Sequence, residues 1–251
     1  ALWGLGRVLA LEHPELWGGL IDTAAGEDAL ETRRLIERHV ANAADEDQCA
    51  IRHGKVYAAR IRRLPFLHEG KASQNPGTVI VTGGCGGLGF ETAKAIAKQG
   101  FAHRLILAGR SDIASAEGKL NVLRGLGVEA EYVQADVRDA SEVELLVNVG
   151  NARGDLRGII HSTGVIRDGL LVRQEWDEFD EVFEAKAIGA RHLHEKSKHL
   201  ELEYFVLFSS AASVLGSPGQ GAHAAANAYL DALAGHRAHL GLQGLSVNWG
   251  P

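Results

Sequence analysis

From Thr78 onward, six short strand-like runs, the first of them β-branched, alternate with stretches of helical periodicity. The runs are Thr78 to Val81, Arg104 to Ala108, Glu129 to Gln134, Gly158 to His161, Tyr204 to Phe208 and Leu245 to Trp249. Helices are expected between them, near Leu88–Gln99, Ala116–Leu126, Ala140–Val149, Trp176–Lys198 and Ala222–Leu240. Strands separated by helical crossovers pair in parallel, and a parallel sheet is stable when helices cover both faces. The expected fold is therefore α/β, a Rossmann-like doubly wound parallel sheet.

The first run enters Thr82-Gly83-Gly84-Cys85-Gly86-Gly87-Leu88-Gly89. This segment contains both GxGxxG and TGxxxGxG, after a strand and before a helix. That is the context in which glycines let the backbone turn sharply and approach a pyrophosphate at a helix N-terminus. Thr82, Gly83, Gly84, Gly87, Leu88 and Gly89 are the expected cofactor-binding residues here, with Cys85 a small filler. The second strand ends in Gly109-Arg110-Ser111, where an acidic residue would bind the ribose hydroxyls of NAD. Arg110 and Ser111 instead suit the 2′-phosphate of NADPH. The third strand ends in Asp136-Val137. Asp136 has two readings, a contact to the adenine amino group or the N-cap of the next helix.

Composition narrows the function. The chain has 251 residues, a formal net charge of −6 and two cysteines. No run of Lys or Arg exceeds two residues, so nucleic acid is not an expected partner. Cys49 and Cys85 form neither a disulfide framework nor a metal cluster, and they fit a reducing, cytoplasmic compartment. No apolar stretch approaches the roughly 20 residues of a membrane span. The twelve histidines form no HxxxH or HExxH pattern, so no metal is expected. His192 and His194 read as surface or packing residues, and Trp3, Trp17 and Trp249 as core. Methionine is absent and the first residues already look helical, as expected of a piece of a longer protein.

Residues 1–68 lack a glycine cradle and read as a separate, smaller Rossmann-like structural subdomain, truncated at its start. A strand is expected at Trp17 to Asp22, a helix at Ala29 to Val40, and two strands, Gln48 to Arg52 and Lys55 to Ile61, around His53-Gly54. Residues 69–77 read as a linker. Residues 78–251 form the expected NADPH-binding catalytic subdomain.

Together, Leu2-Trp3-Gly4-Leu5-Gly6-Arg7, the glycine turn, Gly158 to His161, Phe208-Ser209-Ser210, Ala224 to Asp231 and Val247 to Pro251 resemble ketoreductase domains of modular type I polyketide synthases. These domains are of the short-chain dehydrogenase/reductase type. The resemblance implies NADPH-dependent reduction of a β-ketoacyl chain on an acyl carrier protein, beside other domains of the same synthase, and it implies that residues 78–251 are truncated before the family's lid and last strand. It implies four catalytic positions, falling on Lys186, Ser210, His223 and Asn227. The family carries Tyr where this chain has His223. The spacing holds, since 13 positions separate Ser210 from His223. An imidazole can donate a proton but reaches roughly 2 Å less far than a phenol, and a general acid must lie within hydrogen-bond reach. Two outcomes follow, a working acid or a weak, structural domain. Ile166-Arg167-Asp168 keeps the last Asp of a family loop linked to D-configured (B-type) alcohols, and Leu215 stands where the opposite class has Trp.

Overall fold

The structure, a computed structural model, describes residues 1–42, 46–63 and 76–250. The chain forms two compact units, Leu9–Gly70 on one hand and Ala1–Val8 with Lys71–Pro251 on the other. Helix α1 (Leu2–Glu12) opens the chain.

In the smaller unit, β1 (Leu20–Thr23) pairs in parallel with β2 (Gln48–Arg52) through α2 (Ala29–Ala41). Asp28 caps α2 by accepting the Glu31 amide at 2.7 Å. Strand β3 (Lys55–Ala58) returns antiparallel to β2. The two residues between them, His53 and Gly54, both have positive φ, 49° and 71°, as a tight hairpin turn requires. The expected strands start later and end earlier than the sequence suggests, at Leu20 and Ala58.

The larger unit runs β4 (Gly77–Thr82), α3 (Gly87–Gln99), β5 (Ala102–Gly109), α4 (Glu117–Gly125), β6 (Glu129–Gln134), α5 (Ala140–Gly150) and β7 (Leu156–His161). It continues through α6 (Trp176–Phe183), a π-helical turn (Glu184–Ile188), α7 (Gly189–Ser197), β8 (Tyr204–Ser210), α8 (Ala212–Leu215), α9 (Gly221–His239) and β9 (Leu245–Trp249). The six strands order as β6-β5-β4-β7-β8-β9, and every pairing is parallel. Strand alternation sends β4 side chains to opposite faces. Val79 and Val81 pack with Ala93, Ile96, Leu120 and Leu123, whereas Ile80 packs with Val143, Leu146, Leu193 and Leu230. Helices thus cover both faces, and the doubly wound Rossmann-like fold expected from the alternation is present. The order reverses direction between β4 and β7, and such a switch point leaves a crevice at the strands' carboxyl ends.

Two boundaries differ from expectation. Ala1–Val8 belong to the larger unit, because Val8 is fully buried with Ala212 and Ala224. A Cβ at Gly4 would collide with the Ala224 backbone, so glycine permits that approach. Gly77 starts β4 and is not linker; of the rest of the expected linker, Pro76 is described as irregular backbone and residues 69–75 lie outside the described residues. The tryptophans are less buried than expected: Trp249 is 41% exposed, and the Trp17 indole donates to Asp47 at the surface.

Candidate active site

At the switch point β4 ends in the glycine turn. Gly83 has φ of 65°, a left-handed conformation that favours glycine. Its Cβ would lie 2.8 Å from the Thr163 amide nitrogen. A Cβ at Gly84 would press on Leu107, and one at Gly89 on the Gly83 carbonyl and Ser162. Those three glycines are demanded by the protein's own packing. Gly87 is not, since a Cβ there would meet nothing within 4 Å. It faces open space at the start of α3, where neither a side-chain cap nor a first-turn acid occupies the amides. A cradle open at a helix N-terminus fits the pyrophosphate of a dinucleotide.

The adjoining cleft has a volume of about 310 Å³, and Gly83, Arg110, Ser111, Asp136 and Val137 line it, as expected. Lining residues not singled out by sequence include Tyr132, Arg138 and Ser162 to Val165. Thr82 and Leu88 take other positions. The Thr82 side chain is fully buried and donates its hydroxyl to His161 Nδ1 at 2.7 Å, and Leu88 is 54% exposed. Asp136 is not the N-cap of α5, because Asp139 accepts the Ser141 and Glu142 amides instead. Both Asp136 carboxylate oxygens accept from Arg138. That pairing holds the carboxyl below its ordinary range, with Arg110 adding to the effect.

Lys186 stands in the π-helical turn between α6 and α7, where sequence reading expects one continuous helix. π-turns cluster at functional positions. The Lys186 ammonium is buried and donates to the Phe208 carbonyl of β8 at 2.6 Å. Burial lowers its pKa to about 8, partly opposed by Asp231. Gly164 passes close over its stem, with a Cβ there falling 3.3 Å from Cε.

His161 is a partner the sequence did not reveal as functional. It is fully buried at the end of β7. Its Nε2 lies 3.0 Å from the Lys186 carbonyl, which can only accept, so the proton sits on Nε2. Nδ1 then accepts from Thr82. Burial, reinforced by the Lys186 charge, pushes this imidazole down to about 3. A neutral histidine thus ties the π-turn to the strand that carries the glycine cradle.

Ser210 ends β8, and its Oγ accepts the Ala212 amide at 3.2 Å. Asn227 lies one turn beyond His223 on α9 and donates Nδ2 to the His223 carbonyl at 2.8 Å. The neighbouring Ser209 hydroxyl donates to the Asn227 carbonyl at 3.2 Å. Asn227 Oδ1 and His223 Nδ1 are both buried with no hydrogen-bond partner in the protein. Buried polar atoms are rarely left so, and two on one helix face mark a place where polar groups bind. His223 is less basic than an ordinary histidine, through burial first and the Lys186 charge second, while Asp168 opposes. Asp168 itself accepts from Gln220 at 3.1 Å, and the Gly169 amide donates to the Gly219 carbonyl.

Beneath Ser210, Asp231 accepts from Ser213 at 2.6 Å and from Ser246 at 2.5 Å, and Asn248 donates to the Ser210 carbonyl at 3.1 Å. Arg7 reaches the Ser213 carbonyl from α1. These polar contacts fix the loop after β8. Elsewhere, His194 is buried and accepts from Arg237 at 2.9 Å, a packing role. Among the described residues no group of three His, Cys, Asp or Glu side chains could hold a metal ion, and no helix is long and apolar enough to cross a membrane.

Residues 77–251 match the family model described as KR domain. The chain is 42% identical over 254 residues to polyketide synthase GfsA of Streptomyces halstedii, covering 99% of this chain and 3% of that protein. It is similar, with a TM-score of 0.91 and 39% identity, to the solved ketoreductase PlmKR1 from the first module of phoslactomycin biosynthesis in Streptomyces sp. HK803. That match covers 100% of this chain and 58% of the other. A solved A-type ketoreductase from a modular polyketide synthase gives 0.90 and 42%, with 99% and 53% covered. The chain therefore spans little more than half of the solved domains and a small fraction of the synthase. Ketoreductases of this short-chain dehydrogenase type are oxidoreductases that use a nicotinamide cofactor. The glycine cradle, the switch-point cleft and these matches place the chain in one family: it belongs to the ketoreductase domains of modular polyketide synthases.

Proposed function

We propose that this domain reduces a β-ketoacyl thioester, carried on the phosphopantetheine arm of an acyl carrier protein, to the β-hydroxyacyl thioester with NADPH. The observation that carries this reading is the convergence of Lys186, His223 and Asn227 at the carboxyl end of the sheet, with two buried unpartnered polar atoms among them. When bound, the nicotinamide supplies a hydride to the carbonyl carbon. The carbonyl oxygen then gains an electron pair and needs one proton.

Gly83, Gly87 and the α3 amides are the groups suited to the pyrophosphate, and Arg110 and Ser111 to the 2′-phosphate. Ser210, as a hydroxyl donor, would hold the developing oxyanion. His223 would give the proton, and Lys186, with a pKa of about 8, would return one to it near neutral pH. Asn227 would order the relay through its unpartnered Oδ1. The smaller unit would serve a structural role, and the other domains of the synthase would supply and take up the carrier protein, in a reducing compartment.

A second reading has its own support. His223 holds its proton less tightly than an ordinary histidine, and at neutral pH a neutral imidazole is a weak acid. In that reading the domain binds NADPH but reduces slowly or not at all. One assay separates the two, NADPH oxidation with a β-ketoacyl thioester by the parent and by His223→Tyr. Turnover by the parent is expected. An inert parent that His223→Tyr activates would establish the structural reading. The same assay yields the product's configuration. Asp168, held by Gln220 and coupled to His223, supports a D-configured, B-type alcohol. The 42% identity to an A-type ketoreductase argues the other way, and an L-configured product would reject the B-type assignment.

Cofactor choice gives a separate prediction. Replacing Arg110 with Ala should weaken NADPH about tenfold or more, the scale of a charge-assisted contact, and NADH little. Equal affinity of the parent for both cofactors, measured by fluorescence titration, would remove the NADPH assignment.

A further inference from the structure

The strand beside Arg110 fixes the turn from which that side chain springs. Three consecutive carbonyls leave the end of β5, and β6 with the residue that follows it takes all three. The Ala135 amide donates to the Gly109 carbonyl at 2.9 Å, continuing the sheet ladder. Gln134 Nε2 donates to the Arg110 carbonyl at 3.0 Å. The Tyr132 hydroxyl donates to the Ser111 carbonyl at 2.7 Å. Side chains thus extend the pairing two residues beyond the last backbone bond. The next residue is held as well, since Asp112 Oδ1 accepts the Ser115 amide at 3.1 Å.

We propose that Tyr132 and Gln134 are the positioning residues that set this domain's cofactor selectivity, by holding the Arg110–Ser111 turn in the form that receives a 2′-phosphate. The inference rests on the reading of Arg110 as the group that meets that phosphate. In a trans peptide the carbonyl and the following N–H point in opposite directions. Holding the Arg110 and Ser111 carbonyls against β6 therefore turns the Ser111 and Asp112 amides away from it and fixes the root of the arginine.

An unpinned turn would have to order itself when cofactor binds, and that entropy would be subtracted from affinity. The cost would fall on NADPH, because NADH lacks the phosphate that this turn would meet. Tyr132 is well built for the task. Its ring lies in the core with Leu105, Leu107 and Ala130, so its hydroxyl starts from a rigid base. Burial keeps the phenol protonated, and so a donor, across the working range. Gly109 leaves room for it, since a Cβ there would come within 3.2 Å of the hydroxyl oxygen. Tyr132 also lines the cleft beside Arg110 and Ser111, whereas Gln134, on the same face but at the end of the strand, is exposed.

The test is a fluorescence titration of NADPH and NADH against the parent, Tyr132→Phe, Gln134→Ala and the double variant. Losing two positioning hydrogen bonds should raise the NADPH Kd of the double variant about tenfold while NADH shifts less than twofold, so the preference ratio collapses. Tyr132→Phe keeps the ring in the core. Gln134 is exposed, so its variant reports even if the tyrosine variant folds poorly. A parent that discriminates, with variants that keep the same ratio or weaken both cofactors equally, overturns the positioning role while leaving NADPH in place. A parent that binds both cofactors alike overturns the NADPH reading, and this role with it.

Discussion

Replacing His223 with Phe should lower kcat for ketone reduction about 10²- to 10⁴-fold, the usual contribution of a positioned general acid. Phe keeps the bulk and apolar packing of the site and removes only the proton donor. The pH dependence gives a second, independent signature. An ordinary histidine titrates near about 6.5. His223 sits below that, because burial disfavours the imidazolium and the Lys186 ammonium repels it more than Asp168 attracts it. Reduction needs the protonated form, so its rate should fall as pH rises through a value below the ordinary histidine range. A second decline belongs to Lys186, which loses its proton near pH 8. Oxidation of the alcohol needs the base form, and its rate should rise over the lower window. His223→Tyr should abolish the lower limb and move the reductive profile upward, since a phenol stays protonated to higher pH. Reduction by His223→Phe at the parent's rate, with an unchanged profile, would make His223 a bystander and leave Ser210 and solvent to protonate the oxygen.

The parts of this site that were legible in the sequence are those written by local chemistry. The glycine turn is legible because three of its glycines answer steric demands of the backbone and one answers open space. Strands β6 and β9 fall on the expected residues, Glu129–Gln134 and Leu245–Trp249. The π-turn at Glu184–Ile188 was not legible. Its residues are ordinary helix formers, and a 3.6-residue period does not distinguish an inserted residue. What marks it is tertiary, namely His161 of β7 taking the Lys186 carbonyl.

Asp136 shows the same limit from another side. Two residues on, Arg138 claims both carboxylate oxygens, and three residues on, Asp139 takes the capping role. Either aspartate satisfies the capping preference in sequence, and only the backbone path chooses between them. Tyr132 and Gln134 carry no motif at all. Their role comes from register, because β6 lies beside β5, and Tyr132 and Gln134, two residues apart on one face, reach the carbonyls that follow Gly109.

Acidification should destabilise the fold through His161, and the sign follows from its buried neutral state. The folded imidazole accepts a proton only near pH 3, whereas the unfolded one takes it near about 6.5. Above that range neither form is charged and His161 adds no pH dependence. As pH falls between those two values, the unfolded chain binds a proton that the native state refuses. Unfolding then gains about 1.4 kcal/mol per pH unit from this one group. His194 is lowered in the same direction by burial and Arg237, and adds to the slope. Carboxylates held low by arginines, such as Glu131 and Asp136, contribute further losses at lower pH. The His161 share is isolated by comparison with His161→Gln, which can still donate to the Lys186 carbonyl but does not titrate. Urea midpoints between pH 7 and pH 4 should fall steeply in the parent and distinctly less in the variant, although the variant starts lower. Parallel slopes would mean that His161 is not held neutral. The lock it forms between Thr82 and the Lys186 turn would then have to tolerate the imidazolium, which the carbonyl at Nε2 allows but the hydroxyl at Nδ1 must reverse its bond to accept.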